Sequence, residues 1–412
     1  MFDLKKTFYM GLTAFSGLLN IAIVLFFVKK LDINQSDLFL LSLGFVNFFM
    51  VLISSPMNTA KVRYLLSLDG TDEIKNTLSF NLYLFSLRYI PYLFLIILVL
   101  SFSLVFSLQF TFHYSKLIYA STLTIYVLSC VFFELTKVEY QINRNFIKFS
   151  YLNVSMNIIV FTLVIFCDLD LISFFIIGTL IRSVIIFNYI YMVNNTRKEY
   201  HESEHSISVH FYKLINTIKV YSFSVFFTAL SGFLPNYLLS FFQPGYVTAY
   251  QLAYRFIMSP LALLITPYVD YVRYNLKSPG IEIKNYLRHL LSILFLTTSI
   301  CLFIIFISDE ISNYFLESNE TKEIFEFTLK TFTFVMITSA IYIFNTRMAE
   351  LKYSISIMSV IGLLIHIFYL ILITFSTYNY NYNYFVFSKL FVELCLFIPI
   401  SFYFLKSSNV IK

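Results

Sequence analysis

Long apolar runs alternate with short polar breaks along the whole chain. Runs fall at roughly 8–28, 38–58, 89–109, 117–136, 150–167, 171–193, 219–242, 247–271, 289–308, 326–345, 354–376 and 385–405. A run of about 20 residues at about 1.5 Å per helical residue matches a hydrocarbon core of about 30 Å. The apolar residues are continuous within each run rather than alternating. The pattern therefore predicts helices, which satisfy their own backbone groups in lipid, and not the strands of a barrel. The longest break expected on the inner side runs from Asn194 to Ile218, is charged and histidine-bearing, and falls near the chain midpoint. It predicts a six-helix bundle over 1–193, a linker over 194–218 and a second six-helix bundle over 219–412.

The two halves share words. Thr13-Ala14-Phe15-Ser16-Gly17-Leu18-Leu19 matches Thr228-Ala229-Leu230-Ser231-Gly232-Phe233-Leu234, and Phe26-Phe27 matches Phe241-Phe242 at the same offset of 215. Val62-Arg63-Tyr64 returns as Val272-Arg273-Tyr274. Six predicted spans separate the copies, so both enter the membrane in the same direction. That is a parallel repeat, with an axis along the membrane normal.

Composition narrows the class. The chain is 58% hydrophobic and 13% charged, with mean hydropathy +0.77. Soluble domains average roughly 45–50% apolar and about 25% charged. A water-soluble enzyme or nucleic-acid-binding fold is excluded, and an integral membrane protein remains. Phe (50) and Tyr (32) are abundant, and Tyr also falls inside several runs. This pattern suits either a polar-lined interior or a bias in base composition. The four cysteines, Cys130, Cys167, Cys301 and Cys395, form no C-x-x-C pair and imply neither a disulfide framework nor a zinc site. The first run, from Phe8 to Val28, is longer than a signal-peptide core and has no small-residue cleavage site, so it reads as an uncleaved helix.

Charge sets the expected orientation. With the N-terminus inside, twenty of the 29 Lys and Arg residues fall in inner segments. Only Lys29, Lys30, Lys116 and Lys322 fall in outer ones. This positive-inside bias predicts twelve spans with both termini in the cytoplasm. The outer loops are short, the largest being Ser308 to Phe325, which is acidic. Another is the tract Tyr378-Asn379-Tyr380-Asn381-Tyr382-Asn383-Tyr384.

Charges inside the runs carry the candidate chemistry. An ionisable group at the bilayer centre costs at least about 2.5–3.5 kcal/mol, so it should be paired or face a wet cavity. Arg182 and Arg255 sit deep in their runs, with no acidic residue three or four positions away. Either they line a cationic cavity for an anionic substrate, or they bond carbonyls or a carboxylate on another helix. Lys389 and Glu393, like Glu326 and Lys330, are four apart and placed to pair along one helix. Arg88, Glu134, Asp270 and Glu350 lie near inner helix ends, where their heads can reach water. Pro56, Pro91, Pro235, Pro260, Pro267 and Pro399 fall within runs and are expected to kink them. His201-Glu202-Ser203-Glu204-His205 fits the zinc-protease pattern, but it lies in the polar linker and reads as a chance match. No phosphate-binding glycine loop and no nucleophile elbow occurs, so neither ATP hydrolysis nor covalent catalysis is expected, and no cofactor or metal.

Twelve spans, a parallel repeat and Pro244-Gly245-Tyr246-Val247-Thr248-Ala249-Tyr250-Gln251-Leu252-Ala253-Tyr254-Arg255, followed by Pro260, resemble the multidrug/oligosaccharidyl-lipid/polysaccharide exporter superfamily. Within it, the chain is most similar to the O-antigen and capsule repeat-unit flippases, the Wzx type. The resemblance implies translocation of undecaprenyl-pyrophosphate-linked oligosaccharides across the bacterial inner membrane, by alternating access between two six-helix bundles around a cationic interior. Candidate substrate-facing cations among the charges within the runs are Arg255, Arg182, Lys389, Lys330 and Arg88. Candidate ion-coupling groups are Glu393, Asp270 and Glu134. Implied partners are the lipid-linked oligosaccharide and membrane lipids, with a polysaccharide polymerase and a chain-length regulator; no nucleic acid is expected. Arg255 stands where the family often has a base, whereas the matching place in the first half, near Gly44 and Phe45, is not basic. The chain also lacks the two additional helices of the peptidoglycan-precursor flippases. A drug/cation antiporter of the same superfamily, which needs deep acidic residues, and a polysaccharide polymerase, which needs a large outer loop, are the rival functions.

Overall fold

The computed structural model describes residues 4–54, 56, 83, 87–108, 115–142, 146–196, 212, 225–266, 268–269, 272, 282–316, 318–349 and 355–407. All regular structure among them is helical: α1 (Leu4–Lys30), α2 (Ile33–Phe49), α3 (Ile90–Ser107), α4 (Lys116–Ile142), α5 (Phe146–Phe166), α6 (Leu171–Thr196), α7 (Val225–Leu239), α8 (Tyr246–Pro260), α9 (Ile283–Phe306), α10 (Ser308–Phe315), α11 (Asn319–Ala349), α12 (Ile355–Tyr378), α13 (Tyr382–Val392) and α14 (Ile398–Ser407). Among the described residues, nine helical segments are long and apolar enough to cross a membrane, each coinciding with an expected span. The other three expected spans fall on α1, α7 and α8, which are helical but outside those nine. The protein is a multi-pass helical membrane protein. Of the linker 194–218, only the end of α6 and Tyr212 belong to the described residues, and the histidine motif lies outside them.

Two compact units emerge, Met1–Phe233 and Leu234–Lys412. In the first, α4 is the hub and packs against α2, α3 and α6. In the second, α11 is the hub and packs against α8, α9, α13 and α14. Counted by expected spans, these are the same three pairings, with partners two, three and six of each half.

Polar side chains fix helix pairs where lipid offers them nothing. Asn153 and Asn157 of α5 donate to the Ser16 hydroxyl of α1 at 2.7 and 2.9 Å. Lys30 donates to the carbonyls of Ile165 and Cys167 at 3.0 and 3.1 Å, a cation set on the negative end of α5. Along α11 the buried threonines Thr328, Thr331, Thr338 and Thr346 return their hydroxyls to carbonyls one turn back, so a polar helix can sit inside the unit.

Three of the prolines mark something more specific than a kink, whereas Pro91 stands at the start of α3 and Pro235 and Pro260 lie within α7 and α8. α2, α8 and α13 each widen into a π turn: Met50–Ser54, Leu261–Ile265 and Glu393–Phe397. Each turn ends two residues before a proline, namely Pro56, Pro267 and Pro399. A proline ring displaces the carbonyl four residues back, and one extra residue in the turn relieves that clash. The N–H of Thr266 donates to Leu261 and that of Ile398 to Glu393, each five residues back. The first two π turns stand 211 residues apart, close to the offset of the sequence repeat.

The outer segment expected as a loop from Ser308 begins with α10, whose Ser308 and Ser312 are buried. α11 starts earlier than the apolar run does, because the Ser318 hydroxyl accepts the Thr321 N–H and caps it. In the Tyr/Asn tract, Asn381 caps α13 by accepting the Tyr384 N–H.

Candidate functional site

The two deep arginines look alike in the sequence and differ in the fold. Arg182 sits on α6, which packs against α4. Its Nη1 donates to the Gly178 carbonyl at 2.9 Å, one turn back on its own helix. Its guanidinium lies over the Tyr126 ring of α4, 4.8 Å from the centroid, a contact that partly replaces lost hydration. Gly178 makes the arrangement fit. A Cβ there would stand 2.7 Å from Tyr126 Cε2 and 2.8 Å from Arg182 Nη1. Gly178→Ala is therefore expected to cost about 1–3 kcal/mol by overpacking. In an Arg182→Met background the cost should fall by at least about 0.5 kcal/mol. Thermal unfolding of the two single variants and the double variant measures this, and equal costs in both backgrounds would rule out the packing role.

Arg255 has no such arrangement. It is half-buried on α8, and its Nε is buried with no hydrogen-bond partner among the described residues. The helix around it is well tied down. Gln251 donates to Asn236 Oδ1, and Tyr250 and Tyr254 stack at 6.5 Å and both meet Phe332 of α11. A buried donor left unsatisfied costs about 1–3 kcal/mol, and the described neighbours of Arg255 leave its Nε open.

Within the same unit a second charged group is paired. Lys389 Nζ lies 3.2 Å from Glu393 Oε1, the four-residue pairing along α13 that the sequence suggested. The ammonium also sits 5.2 Å from the Tyr369 ring and 5.8 Å from the Phe397 ring. Glu393 is 4% exposed, begins the third π turn, and keeps Oε2 buried without a partner. Tyr369 of α12 interacts with Tyr250 of α8, and Tyr254 is within electrostatic reach of both Lys389 and Arg255. Arg255, Tyr254, Tyr250, Tyr369, Lys389 and Glu393 thus form one connected polar-aromatic group on α8, α12 and α13. Chemically, it offers an arginine able to bind an anion and a carboxylate oxygen able to accept a proton or a cation.

The remaining candidates lie elsewhere. Lys330, whose side chain is exposed, pairs with half-buried Glu326 at 3.4 Å on α11. Glu134 pairs with Lys137 at 3.2 Å on α4, within electrostatic reach of Arg182. Arg88 is exposed in the turn before α3, and Asp270 lies outside the described residues. The sequence reading missed Tyr126, Gly178, Tyr250, Tyr254 and Tyr369. A signal existed for two pairs, since Gly178/Arg182 and Tyr250/Tyr254 are each four apart on one helix. Nothing local marks Tyr126 or Tyr369, which come from other helices.

No family model matches the sequence, and no curated protein matches it. Solved structures do. A lipid II flippase, MurJ, in an inward closed conformation superposes with a TM-score of 0.73 at 18% identity, covering 98% of this chain and 88% of that one. An inward-facing multidrug resistance MATE family transporter of the MOP superfamily gives 0.71 at 12% identity, covering 96% and 95%. A MOP superfamily transporter from Pyrococcus furiosus, described by the reverse polarity of its binding pocket, gives 0.58 at 12% identity, covering 97% and 94%. The chain has the fold that these transporters share.

Proposed function

We propose that the protein is a flippase for undecaprenyl-pyrophosphate-linked oligosaccharide repeat units, acting in O-antigen or capsule biosynthesis at the bacterial inner membrane. The observation that carries this reading is Arg255, a deep cation whose Nε has no hydrogen-bond partner among the described residues. A pyrophosphate is the kind of ligand that would satisfy it, because a phosphate oxygen accepts charge-assisted bonds from a guanidinium. A cationic lining lowers the cost of carrying that group through a low-dielectric slab, while the lipid tail stays in the bilayer. The shared fold supports the class, and one protein with that fold is a lipid II flippase. Twelve spans in two six-helix bundles, cytoplasmic termini and alternating access belong to the same proposal. So do the remaining cations Arg182, Lys389, Lys330 and Arg88, and partnership with a polymerase and a chain-length regulator. Coupling to an ion falls to Glu393, with Glu134 and Asp270 as further candidates.

A multidrug or cation antiporter is the second reading, favoured by the free Oε2 of Glu393 and by the MATE structures. Reconstitution separates the two. In proteoliposomes the protein is expected to move an undecaprenyl-pyrophosphate glycan between leaflets and to leave a lipophilic cation such as ethidium behind. Ethidium movement with a stationary glycan would reverse the assignment.

A further inference from the structure

α9 turns two different faces outward and inward. Tyr286, Ile293, Thr297, Cys301 and Ile304 are buried, and this side packs chiefly on α11: Tyr286 donates to Asn345 at 2.8 Å, and the Cys301 thiol lies 3.5 Å from the Thr333 carbonyl. The other side is open. Lys284, Leu287, Arg288, Leu291, Ser292 and Phe295 line a hollow of about 540 Å³. These positions follow a spacing of three and four, so they form one stripe along the helix.

We propose that this stripe binds one anionic glycerophospholipid, with its phosphate at Lys284 and Arg288 and an acyl chain along Leu287, Leu291 and Phe295. Charge is the first argument. Both cations lie one turn apart at one end of the stripe, and α9 contains no carboxylate from Ile283 to Phe306. The nearest one in sequence, on Glu282, accepts a bond from Asn285 at 3.4 Å. Length is the second. From Lys284 to Phe295 the helix rises about 16 Å, roughly half of a 30 Å hydrocarbon core and so the depth of one leaflet. Order along the stripe is the third: the charges come first and the apolar residues deeper, matching head and tail. Ser292 returns its hydroxyl to the Arg288 carbonyl and asks nothing of the ligand. Leu291 and Phe295 are 64% and 79% exposed, so the tail end is open to lipid. The proposal is independent of what the protein transports.

The test uses the full-length protein in bilayers of phosphatidylcholine carrying spin-labelled phosphatidylglycerol or spin-labelled phosphatidylcholine. The labelled anionic lipid should be retained at least about fivefold over the zwitterionic one, since each basic side chain near a membrane surface adds about 1 kcal/mol to attraction. Lys284→Gln with Arg288→Gln should remove that preference, and Lys322→Gln, on another segment, should leave it intact. Leu291→Trp, which intrudes on the tail end of the hollow but keeps both cations, should weaken retention of both lipids and guards against a charge variant that fails to fold. Equal retention of the two lipids by the wild type would overturn the proposal, as would a preference that survives loss of both cations. So would a dimer that falls apart with Phe295→Ser, which would give the face to a second copy of the chain.

Discussion

Arg255→Met should make the protein more stable and a worse transporter at once. The substitution keeps the length and apolar stem of the side chain and removes a charge whose Nε has no partner. Relief of that unsatisfied donor is expected to stabilise the protein by about 1–3 kcal/mol. If the guanidinium contacts a pyrophosphate, loss of a charge-assisted bond of about 1.5–3 kcal/mol lowers transport by roughly ten- to a hundredfold. Arg255→Lys keeps the charge but not the planar fork and should fall between the two. Thermal unfolding in detergent and glycan translocation in proteoliposomes read the two effects separately. A variant that loses stability and keeps transport would return Arg255 to a structural role.

The Lys389–Glu393 pair is expected to behave in the opposite way. Both side chains are largely buried and 3.2 Å apart. Lys389→Met leaves the Glu393 carboxylate without its cation in an apolar setting, which costs about 3–5 kcal/mol. The unfolding midpoint should drop by roughly 3–6 °C. Adding Glu393→Leu should recover most of that loss, because a hydrophobic pair in place of a buried ion pair is often neutral or better. A double-mutant cycle measures the coupling. Additive losses would show that the two charges do not stabilise one another. Transport by the double variant carries separate information: if stability returns and transport does not, Glu393 acts beyond packing.

What could be read from the sequence follows from the range of the forces involved. The spans were legible because a continuous apolar run of membrane length has one answer in lipid, and among the described residues nine of the twelve runs lie on helices long and apolar enough to cross a membrane. The ion pairs at Lys389/Glu393 and Glu326/Lys330 were legible because a four-residue spacing places two side chains on one helix face. The prolines announced a disturbance, but the form it took, a π turn two residues upstream, depends on which bond each helix gives up. The start of α11 was misplaced because Ser318 and Thr321 extend it past its apolar run. The difference between Arg182 and Arg255 was not legible. It rests on Tyr126, a residue 56 positions away on another helix, and on the space that Gly178 leaves for the guanidinium. The pattern of charges had put the two arginines on equal terms; the packing moves the weight to Arg255.

Lipid-linked glycan location in cells lacking the protein tests the flippase assignment most directly. Complete, unpolymerised repeat units on undecaprenyl pyrophosphate should accumulate on the cytoplasmic face of the inner membrane, inaccessible to a glycan-modifying enzyme added to spheroplasts. Accumulation of the same units on the outer face would contradict a flippase and point to a polymerase.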